Sequence, residues 1–302
     1  MQEAPVTVFG GTGFLGDAIV RELVEAGRAV RIAARRPALP AWLESGDRVD
    51  AVCADIRDEA SIDAALAGAS AVVNAVSLYV ETRTTRFETL HVDGARRLAR
   101  RTRAAAISRL VQVSGIGARR DSASAYVRAR ARGEDAVLDA MPKAIIVRPS
   151  VMFGARDAFL TGLDGLTRLP LIPLFGHGDT RLQPVHVADV ARAIAKLTGR
   201  PATARRLFEF GGPEVLRYRE ILELLLAHRR RERLLVPLPF AVWRLLAAAV
   251  AWLPGPPLTR DQVILMQADN VADADVGDFD DLGILPHSLR ESLPRYLPNG
   301  DA

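Results

Sequence analysis

The glycine-rich segment VTVFGGTGFLG, which begins at Val6, constrains this chain more than any other feature. Glycines recur at every third position of it, directly after an apolar run and before an amphipathic stretch at 14–26. This spacing suits a strand, a tight turn that brings the backbone close to a pyrophosphate, and a helix whose N-terminus faces the anion. In this context it predicts a dinucleotide-binding loop. The contacts expected from the loop come from Gly10, Gly11, Thr12, Gly13, Phe14, Leu15 and Gly16.

Strand-like and helix-like segments alternate through the first half of the chain. Short, continuous apolar runs separated by helical stretches predict a parallel sheet that is covered on both faces. The six runs lie at 6–9, 29–34, 49–53, 71–74, 110–113 and 144–147.

The pattern changes after Pro149, where glycine and proline become frequent. A helix is expected at 188–197 and a strand at 206–210, and the later residues are mostly helical with proline breaks. We therefore predict an α/β fold, a Rossmann-like doubly wound parallel sheet with a smaller, mostly helical C-terminal domain. The expected dinucleotide-binding domain is 1–154 with 183–212 returning to it, and the smaller substrate or partner domain is 155–182 with 213–302.

The second strand indicates which dinucleotide is bound. It is followed by Arg35 and Arg36 instead of the acidic residue that binds the ribose hydroxyl of NAD. An arginine pair suits a 2'-phosphate, so the sequence favours NADP(H) over NAD(H); the alternative is that the arginines only end the sheet in solvent. Further contacts are expected near the adenine and along the middle of the cofactor. They come from Asp55, Ile56, Asn74, Ala75, Val76, Pro149 and Val151.

Charge and cysteine content narrow the partners and the compartment. The 40 basic and 36 acidic residues give a net charge of +4 and a pI near 9.7, and Lys143 and Lys196 are the only lysines. This hints at anionic partners, but the arginine-rich segments lack interleaved aromatic residues, so we do not expect nucleic-acid binding. The single Cys53 excludes an internal disulfide and a Cys-rich metal site, and we predict no metal. With no signal or transit peptide recognisable, we expect a cytoplasmic protein, at most peripheral to the cytoplasmic membrane.

Several motifs together resemble the extended and atypical short-chain dehydrogenase/reductase superfamily, which includes the NAD-dependent epimerases and dehydratases. GGTGFLG is shared by the whole superfamily. VRPSVMFGARDAF at 147–159 and TRLQPVHVADVARAIA at 180–195 are similar to the branch that contains the NADPH-binding accessory subunit of respiratory complex I and its bacterial relatives. The resemblance implies NADP(H) binding and a membrane-bound respiratory complex as partner, or a small-molecule substrate if the chain is enzymatic.

The same resemblance implies a site made of a serine, a tyrosine and a lysine. Ser114 matches the serine and Tyr126 the tyrosine, whereas Arg130 replaces the lysine that also binds the nicotinamide ribose. Tyr126 and Arg130 share one face of a helix because they are four residues apart. A cation about 4 Å from a phenol stabilises the phenolate by about 4 kcal/mol at an effective dielectric near 20, so we expect Arg130 to lower the pKa of Tyr126. A guanidinium scarcely releases a proton, so the replacement affects the proton relay instead.

Three further features of the sequence bear on the site and on partners. His91 stands where the resemblance implies an asparagine beneath the site, or it is an ordinary buried histidine. The apolar segment 239–254 is too short to cross a bilayer. It predicts either an interfacial helix that docks on an anionic membrane or a partner, or a buried helix of the smaller domain. Asp189 is expected to brace a helix and not to perform chemistry.

Two functions fit these observations. The first is an NADP(H)-binding short-chain dehydrogenase/reductase-like protein with impaired or lost catalysis, which docks on a membrane complex as the resemblance implies. The second is an active NADP-dependent reductase, epimerase or dehydratase in which Tyr126 is the acid/base and Ser114 orients a small hydroxyl or carbonyl substrate. Arg130 and the segment 239–254 favour the first function, whereas the intact Ser114 and Tyr126 favour the second.

Overall fold

The computed structural model describes residues 4–82, 84–199, 205–253 and 258–298. This part of the chain contains thirteen strands and ten α-helices. The strands are β1 (Val6–Phe9), β2 (Val30–Ala34), β3 (Val49–Cys53), β4 (Ala71–Asn74), β5 (Leu110–Val113), β6 (Ile145–Pro149), β7 (Met152–Phe153), β8 (Leu171–Phe175), β9 (Arg181–Leu182), β10 (Val185–His186), β11 (Leu207–Phe210), β12 (Leu216–Arg217) and β13 (Leu234–Leu238).

Four of the helices lie between strands β1 to β6 in the sequence, and the other six follow β7. They are α1 (Phe14–Glu25), α2 (Glu59–Leu66), α3 (Ala95–Ala104), α4 (Ala125–Ala140), α5 (Ala158–Leu166), α6 (Val187–Gly199), α7 (Tyr218–His228), α8 (Phe240–Val250), α9 (Arg260–Leu265) and α10 (Leu289–Tyr296). A π-helix at Glu88–Gly94 leads directly into α3, and a single 3-10 turn spans Asp280–Leu282.

Seven strands form one parallel sheet in the order β11, β6, β5, β4, β1, β2, β3. The six predicted apolar runs and the later strand at 206–210 all belong to this sheet, which confirms the predicted Rossmann-like α/β fold. The chain order reverses between β1 and β4. In open α/β sheets a ligand binds at this reversal, in the crevice beyond the carboxyl ends of the strands.

Both faces of the sheet are covered by helices. One face packs against α1 and α6, with Ile19 and Ile194 fully buried between them and the strands. The opposite face packs against α2, α3 and α4 through residues such as Ile62 and Leu98. Strands buried on both faces explain why the sequence shows continuous apolar runs without alternation.

A separate apolar cluster forms the core of the smaller part of the chain. It joins α5, α7 and α10 to β8, with Leu160, Ile172, Ile221 and Leu293 buried. The strands β8 and β13 pair in parallel, and β9 and β12 pair antiparallel, so this part is not purely helical. The domain boundaries stay a prediction, and residues 1–3 and 299–302 at their outer ends lie outside the described residues.

The apolar segment at 239–254 forms α8, and most of that helix is exposed. Leu245 is 70% exposed and Trp252, just beyond the helix, is 79% exposed, whereas Ala247 is the one residue of α8 that is buried. The alternative of a buried helix is therefore wrong for the described residues of the segment; its last residue, Pro254, lies outside them. None of the helices in the described part of the chain combines the length and apolarity that a membrane span requires.

Candidate functional site

The glycine-rich loop lies at the carboxyl ends of β1 and β4, where the order of the sheet reverses. Gly10 has a φ of 77°, and a Cβ atom there would lie 3.0 Å from the carbonyl of Ala75 and from the backbone nitrogen of Val76. A Cβ on Gly16 would lie 2.0 Å from the carbonyl oxygen of Gly10. Glycine is thus required at both positions, once for the turn and once for the packing of α1 against the loop.

The start of α1 leaves backbone amides available beside this loop. Gly13 is the N-cap and offers no side chain to the first turn. Thr12 and Phe14 are exposed, whereas Leu15 and Gly16 are buried in the packing of the helix on the sheet. Free amides at a helix N-terminus suit an anion such as a pyrophosphate.

The residues predicted for the adenosine half lie along the neighbouring strand ends. Arg35 and Arg36 follow β2 and are exposed. Asp55 follows β3, and Arg57 binds its carboxylate with both Nε and Nη2, at 3.0 and 2.6 Å. The hydrogen bond from Arg57 keeps the pKa of Asp55 below its usual value. The side chain of Ile56 is buried in the core, where it packs beneath this edge of the sheet.

The turn after β4 is held by a buried amide pair. Asn74 donates from Nδ2 to Oε1 of Gln112 at 2.8 Å, and its own Oδ1 accepts from the backbone of Val76 at 3.2 Å. On the far side of the site, Val151 donates its backbone N–H to Oδ1 of Asn270 at 3.0 Å. Pro149 is the last residue of β6 and is buried.

Tyr126 and Arg130 lie together on α4, as their spacing predicts. Arg130 donates from Nε to the Tyr126 hydroxyl at 3.1 Å, from Nη2 to Ser77 Oγ at 2.8 Å and from Nη1 to the Val113 carbonyl at 3.2 Å. Arg130 is 6% exposed, so its charge is shielded from water. One guanidinium therefore joins α4, the end of β5 and the turn after β4.

Burial has the largest effect on the pKa of Tyr126, and the expected lowering of that pKa by Arg130 acts against it. Burial of the phenol raises its pKa above the usual value, and this outweighs the opposing attraction of the Arg130 charge. The rings of Tyr79, Phe87 and His91 lie 5.5 to 5.8 Å from the Tyr126 ring, which keeps water from much of it. The sequence could not reveal this aromatic enclosure. Tyr126 is therefore a neutral hydrogen-bonding phenol at physiological pH.

Ser114 is bound to a buried ionic network and not to the Tyr126 hydroxyl. Its hydroxyl donates to Glu134 Oε1 on α4. Glu134 in turn accepts two hydrogen bonds from Arg148, at 2.9 and 2.6 Å, and Arg148 also pairs with Glu209 at 3.1 Å. The role of Ser114 as the orienting hydroxyl stays a prediction, because nothing in this geometry brings it to the phenol.

Ser77 is the hydroxyl-bearing residue that shares Arg130 with Tyr126, and the sequence reasoning missed it. Its position three residues after Asn74, in the turn at the reversal of the sheet, is the signal that could have indicated it. The Ser77 hydroxyl also interacts with the phenol and helps to restrain the rise in the pKa of Tyr126.

His91 lies in the π-helix, buried beneath Tyr126. Its Nε2 is 3.0 Å from the Leu78 carbonyl oxygen and 3.4 Å from the Leu78 backbone nitrogen. Burial, followed by the charge of Arg130, lowers its pKa to about 3. His91 is thus a satisfied buried histidine that also packs against the phenol.

Asp189 joins the start of α6 to the segment before α10. It is fully buried at the start of α6 and accepts from the backbone N–H and from Nδ1 of His287, both at 2.7 Å. The nearby ring of His186 bonds to the Tyr296 hydroxyl at 2.6 Å. These bonds connect the larger part of the molecule to His287, just before α10, and to Tyr296, the last residue of α10.

Known proteins share both the sequence and the fold of this chain. The model of the NAD dependent epimerase/dehydratase family matches residues 6–208. The chain is 35% identical to NADH dehydrogenase (ubiquinone) 1 alpha subcomplex subunit 9, mitochondrial, of Arabidopsis thaliana, over 97% of this chain and 78% of that protein. It is also 34% identical to the ceramide reductase of Caulobacter vibrioides, over 65% of this chain and 61% of that protein.

Solved structures repeat the architecture at much lower identity. The triphenylmethane reductase of Citrobacter sp., solved in complex with NADP(H), superimposes with a TM-score of 0.74. The match covers 97% of this chain and 100% of that one at 17% identity, so it shows a common fold.

Proposed function

The chain belongs to the NAD dependent epimerase/dehydratase family, and on that premise we propose that it is an NADP(H)-binding protein with impaired catalysis. We place it at the membrane, as a peripheral subunit of a respiratory complex. The similarity to the Arabidopsis alpha subcomplex subunit over nearly the whole chain supports this partner.

Impaired catalysis is supported by one observation, the state of Arg130. Arg130 stands where the family resemblance implies a lysine. Its guanidinium is buried and donates to three protein acceptors at once. A guanidinium does not pass protons between a tyrosine and a ribose as an ammonium can. When NADP(H) is bound it supplies a hydride, and Tyr126, whose pKa is raised by burial, would hold its proton as a structural donor.

The preference for NADP(H) is supported by the exposed Arg35 and Arg36 at the end of β2. Two guanidinium groups at this edge suit a 2'-phosphate, and residues 34–40 include no acidic residue that could bind a ribose hydroxyl. Replacing Arg35 with alanine should weaken NADPH binding at least tenfold, about 1.4 kcal/mol, and NADH binding much less. Equal losses for the two nucleotides, measured by fluorescence titration, would contradict the assignment.

Attachment to an anionic membrane is supported by the exposed apolar surface around α8. Leu245, Leu246 and Trp252 project into solvent, together with Leu171 and Leu234 at the starts of the paired strands β8 and β13. Among the residues just before β13, Arg230 and Arg233 are exposed, whereas Arg229 binds Asp164. Apolar side chains beside arginines are the composition of a surface that lies in a lipid interface.

The membrane contact is tested with vesicles, and the complex with native membranes. Leu245→Glu should abolish sedimentation with vesicles that contain anionic lipid, whereas Leu285→Glu, at an exposed leucine far along the chain, should not. In gently solubilised membranes of the source organism, we expect the chain to migrate on a native gel with a respiratory complex. Migration as a free chain, with vesicle binding intact, would overturn the subunit assignment alone.

The second candidate function is an active NADP-dependent reductase. The similarity to the Caulobacter ceramide reductase and the retained Tyr126 support it. A panel of carbonyl compounds, including long-chain lipids, tests it with the protein as it stands and with Arg130→Lys. Hydride transfer by the unaltered protein would establish the reductase; transfer only after Arg130→Lys would support lost catalysis.

A further inference from the structure

The outer face formed by α3 and α4 carries a groove that the proposed function does not use. Two adjoining cavities, of about 600 and 350 Å³, share Arg96, Ala136 and Asp139 in their linings. We call them together the α3–α4 groove. Alanines 104, 136 and 140 form its floor, so a partner backbone can approach closely.

The arginines of α3 divide into two groups. Arg97 and Arg101 turn toward α2, where Arg101 binds Asp63 and both lie within 3.8 Å of Glu59. Arg96, Arg100 and Arg103 instead line the groove, because residues three and four apart share a face of a helix. The pair that faces α2 therefore forms ion pairs within the fold, whereas the three groove arginines lie at the surface.

The α3 arginines of the groove are incompletely neutralised within the chain, although Asp139 lines both cavities. Arg96 pairs with Asp93 on its own helical turn, at 2.9 Å, and Arg103 donates to the Ala140 carbonyl. Arg100 is exposed and has neither a hydrogen bond nor an ion pair within residues 4–82, 84–199, 205–253 and 258–298. The groove therefore holds a row of guanidinium groups suited to carboxylates.

The surroundings of the groove select among anionic occupants. None of the large exposed apolar side chains of the described chain lies on α3 or α4, so the face lacks the anchors of a membrane surface. Neither cavity is lined by an aromatic ring on which a base could stack. A second copy related by a two-fold axis would bring like arginine rows together.

We propose that the α3–α4 groove is a docking site for an acidic α-helical segment of a protein partner. Glutamates spaced three and four residues apart on such a helix would meet Arg96, Arg100 and Arg103, and small residues between them would face the alanine floor. This is recognition of a helix in a groove, with charge complementarity fixing the register. The site needs neither nucleotide nor membrane, so its failure would leave the proposed function standing.

The test uses the full chain and a labelled synthetic helix with glutamates on one face and alanines elsewhere. Its binding is followed by fluorescence anisotropy, beside a matched peptide in which glutamines replace the glutamates. Arg96→Glu with Arg100→Glu should weaken binding of the acidic peptide about tenfold or more, and should create binding of a lysine version of the same helix. Arg233→Glu with Arg260→Glu makes the same change of charge elsewhere and should alter binding less than about twofold.

Three results would overturn the docking site: no binding of the acidic peptide by the unaltered protein, equal binding of the glutamine peptide, or equal losses in the two double variants. Arg100→Glu alone guards against misfolding, since Arg100 makes no bond within the described chain that its loss could break. Unchanged melting temperature with weakened peptide binding is the expected result for this single variant.

Discussion

At the scale of single residues, the site depends on how one buried guanidinium is shared. Arg130 donates to Tyr126, to Ser77 and to the Val113 carbonyl, and Ser114 bonds elsewhere, to Glu134. The arginine thus forms a fixed three-way link. The Tyr126 hydroxyl is therefore held by a group that scarcely releases a proton.

Removing the charge of Arg130 tests this description. In Arg130→Met the pKa of Tyr126 should rise further, because burial remains while the attraction of the guanidinium is lost. The measurement is the tyrosinate absorbance during alkaline titration, taken as a difference from Tyr126→Phe. Arg132→Met, which removes an exposed arginine of the same helix, should leave the titration unchanged. An unaltered Tyr126 titration in Arg130→Met would refute the link.

His91 makes stability depend on acidity. Its pKa is about 3 in the folded chain and 6.5 when unperturbed. The folded chain keeps the His91 ring neutral, so this contribution to the free energy of unfolding is fully present above pH 6.5. It is lost as the pH falls toward 3, at up to about 1.4 kcal/mol per pH unit. His91→Gln keeps a donor for Leu78 but does not titrate. Urea unfolding from pH 4 to 8 should therefore show a flatter acid limb in the variant, and parallel curves would contradict this role.

At the scale of elements, the sequence predicted the strands better than their surroundings. Continuous apolar runs and the glycine loop depend on local spacing, so the central sheet and the pairing of Tyr126 with Arg130 on α4 were predictable. The enclosure of Tyr126, the diversion of Ser114 and the exposure of α8 arise from contacts between distant segments. The sequence of an apolar helix is the same whether the helix is buried or exposed. The sequence therefore left both alternatives for the segment 239–254.

The close contact between α4 and the π-helix at Gly133 predicts a cost for adding a side chain there, with Gly162 as the control. A Cβ on Gly133 would lie 2.0 Å from the His91 carbonyl oxygen, so Gly133→Ala should push α4 away and destabilise the fold by about 1–3 kcal/mol. Gly162 in α5 has open space around the same position, so Gly162→Ala should stabilise by roughly 0.5–1 kcal/mol through helix propensity alone. Chemical denaturation measures both. Losses of equal size would show that the close approach at Gly133 has no energetic importance.

At the scale of the whole molecule, the exposed apolar helix is connected to the candidate site. α8 packs on α9, and Asp261 of α9 accepts a hydrogen bond from Ser124. Ser124 is fully buried and is the N-cap of α4, two residues before Tyr126. The bond between Ser124 and Asp261 thus joins the element that packs against α8 to the helix that carries Tyr126 and Arg130.

The hydrogen bond between Ser124 and Asp261 predicts which segments should exchange hydrogen faster when that bond is removed. Asp261→Ala removes the acceptor but leaves Ser124 capping α4. Hydrogen exchange should therefore speed up in 240–253 and 258–265, and only slightly in 125–130, with the strands of the central sheet unchanged. Asp261→Asn keeps an acceptor oxygen of the same shape and should exchange nearly as the unaltered chain does. Local opening has a smaller free energy than global unfolding, so the effect should be largest around α8 and α9. Uniformly faster exchange would mean that Asp261 stabilises the fold as a whole and carries no link between the exposed surface and the site.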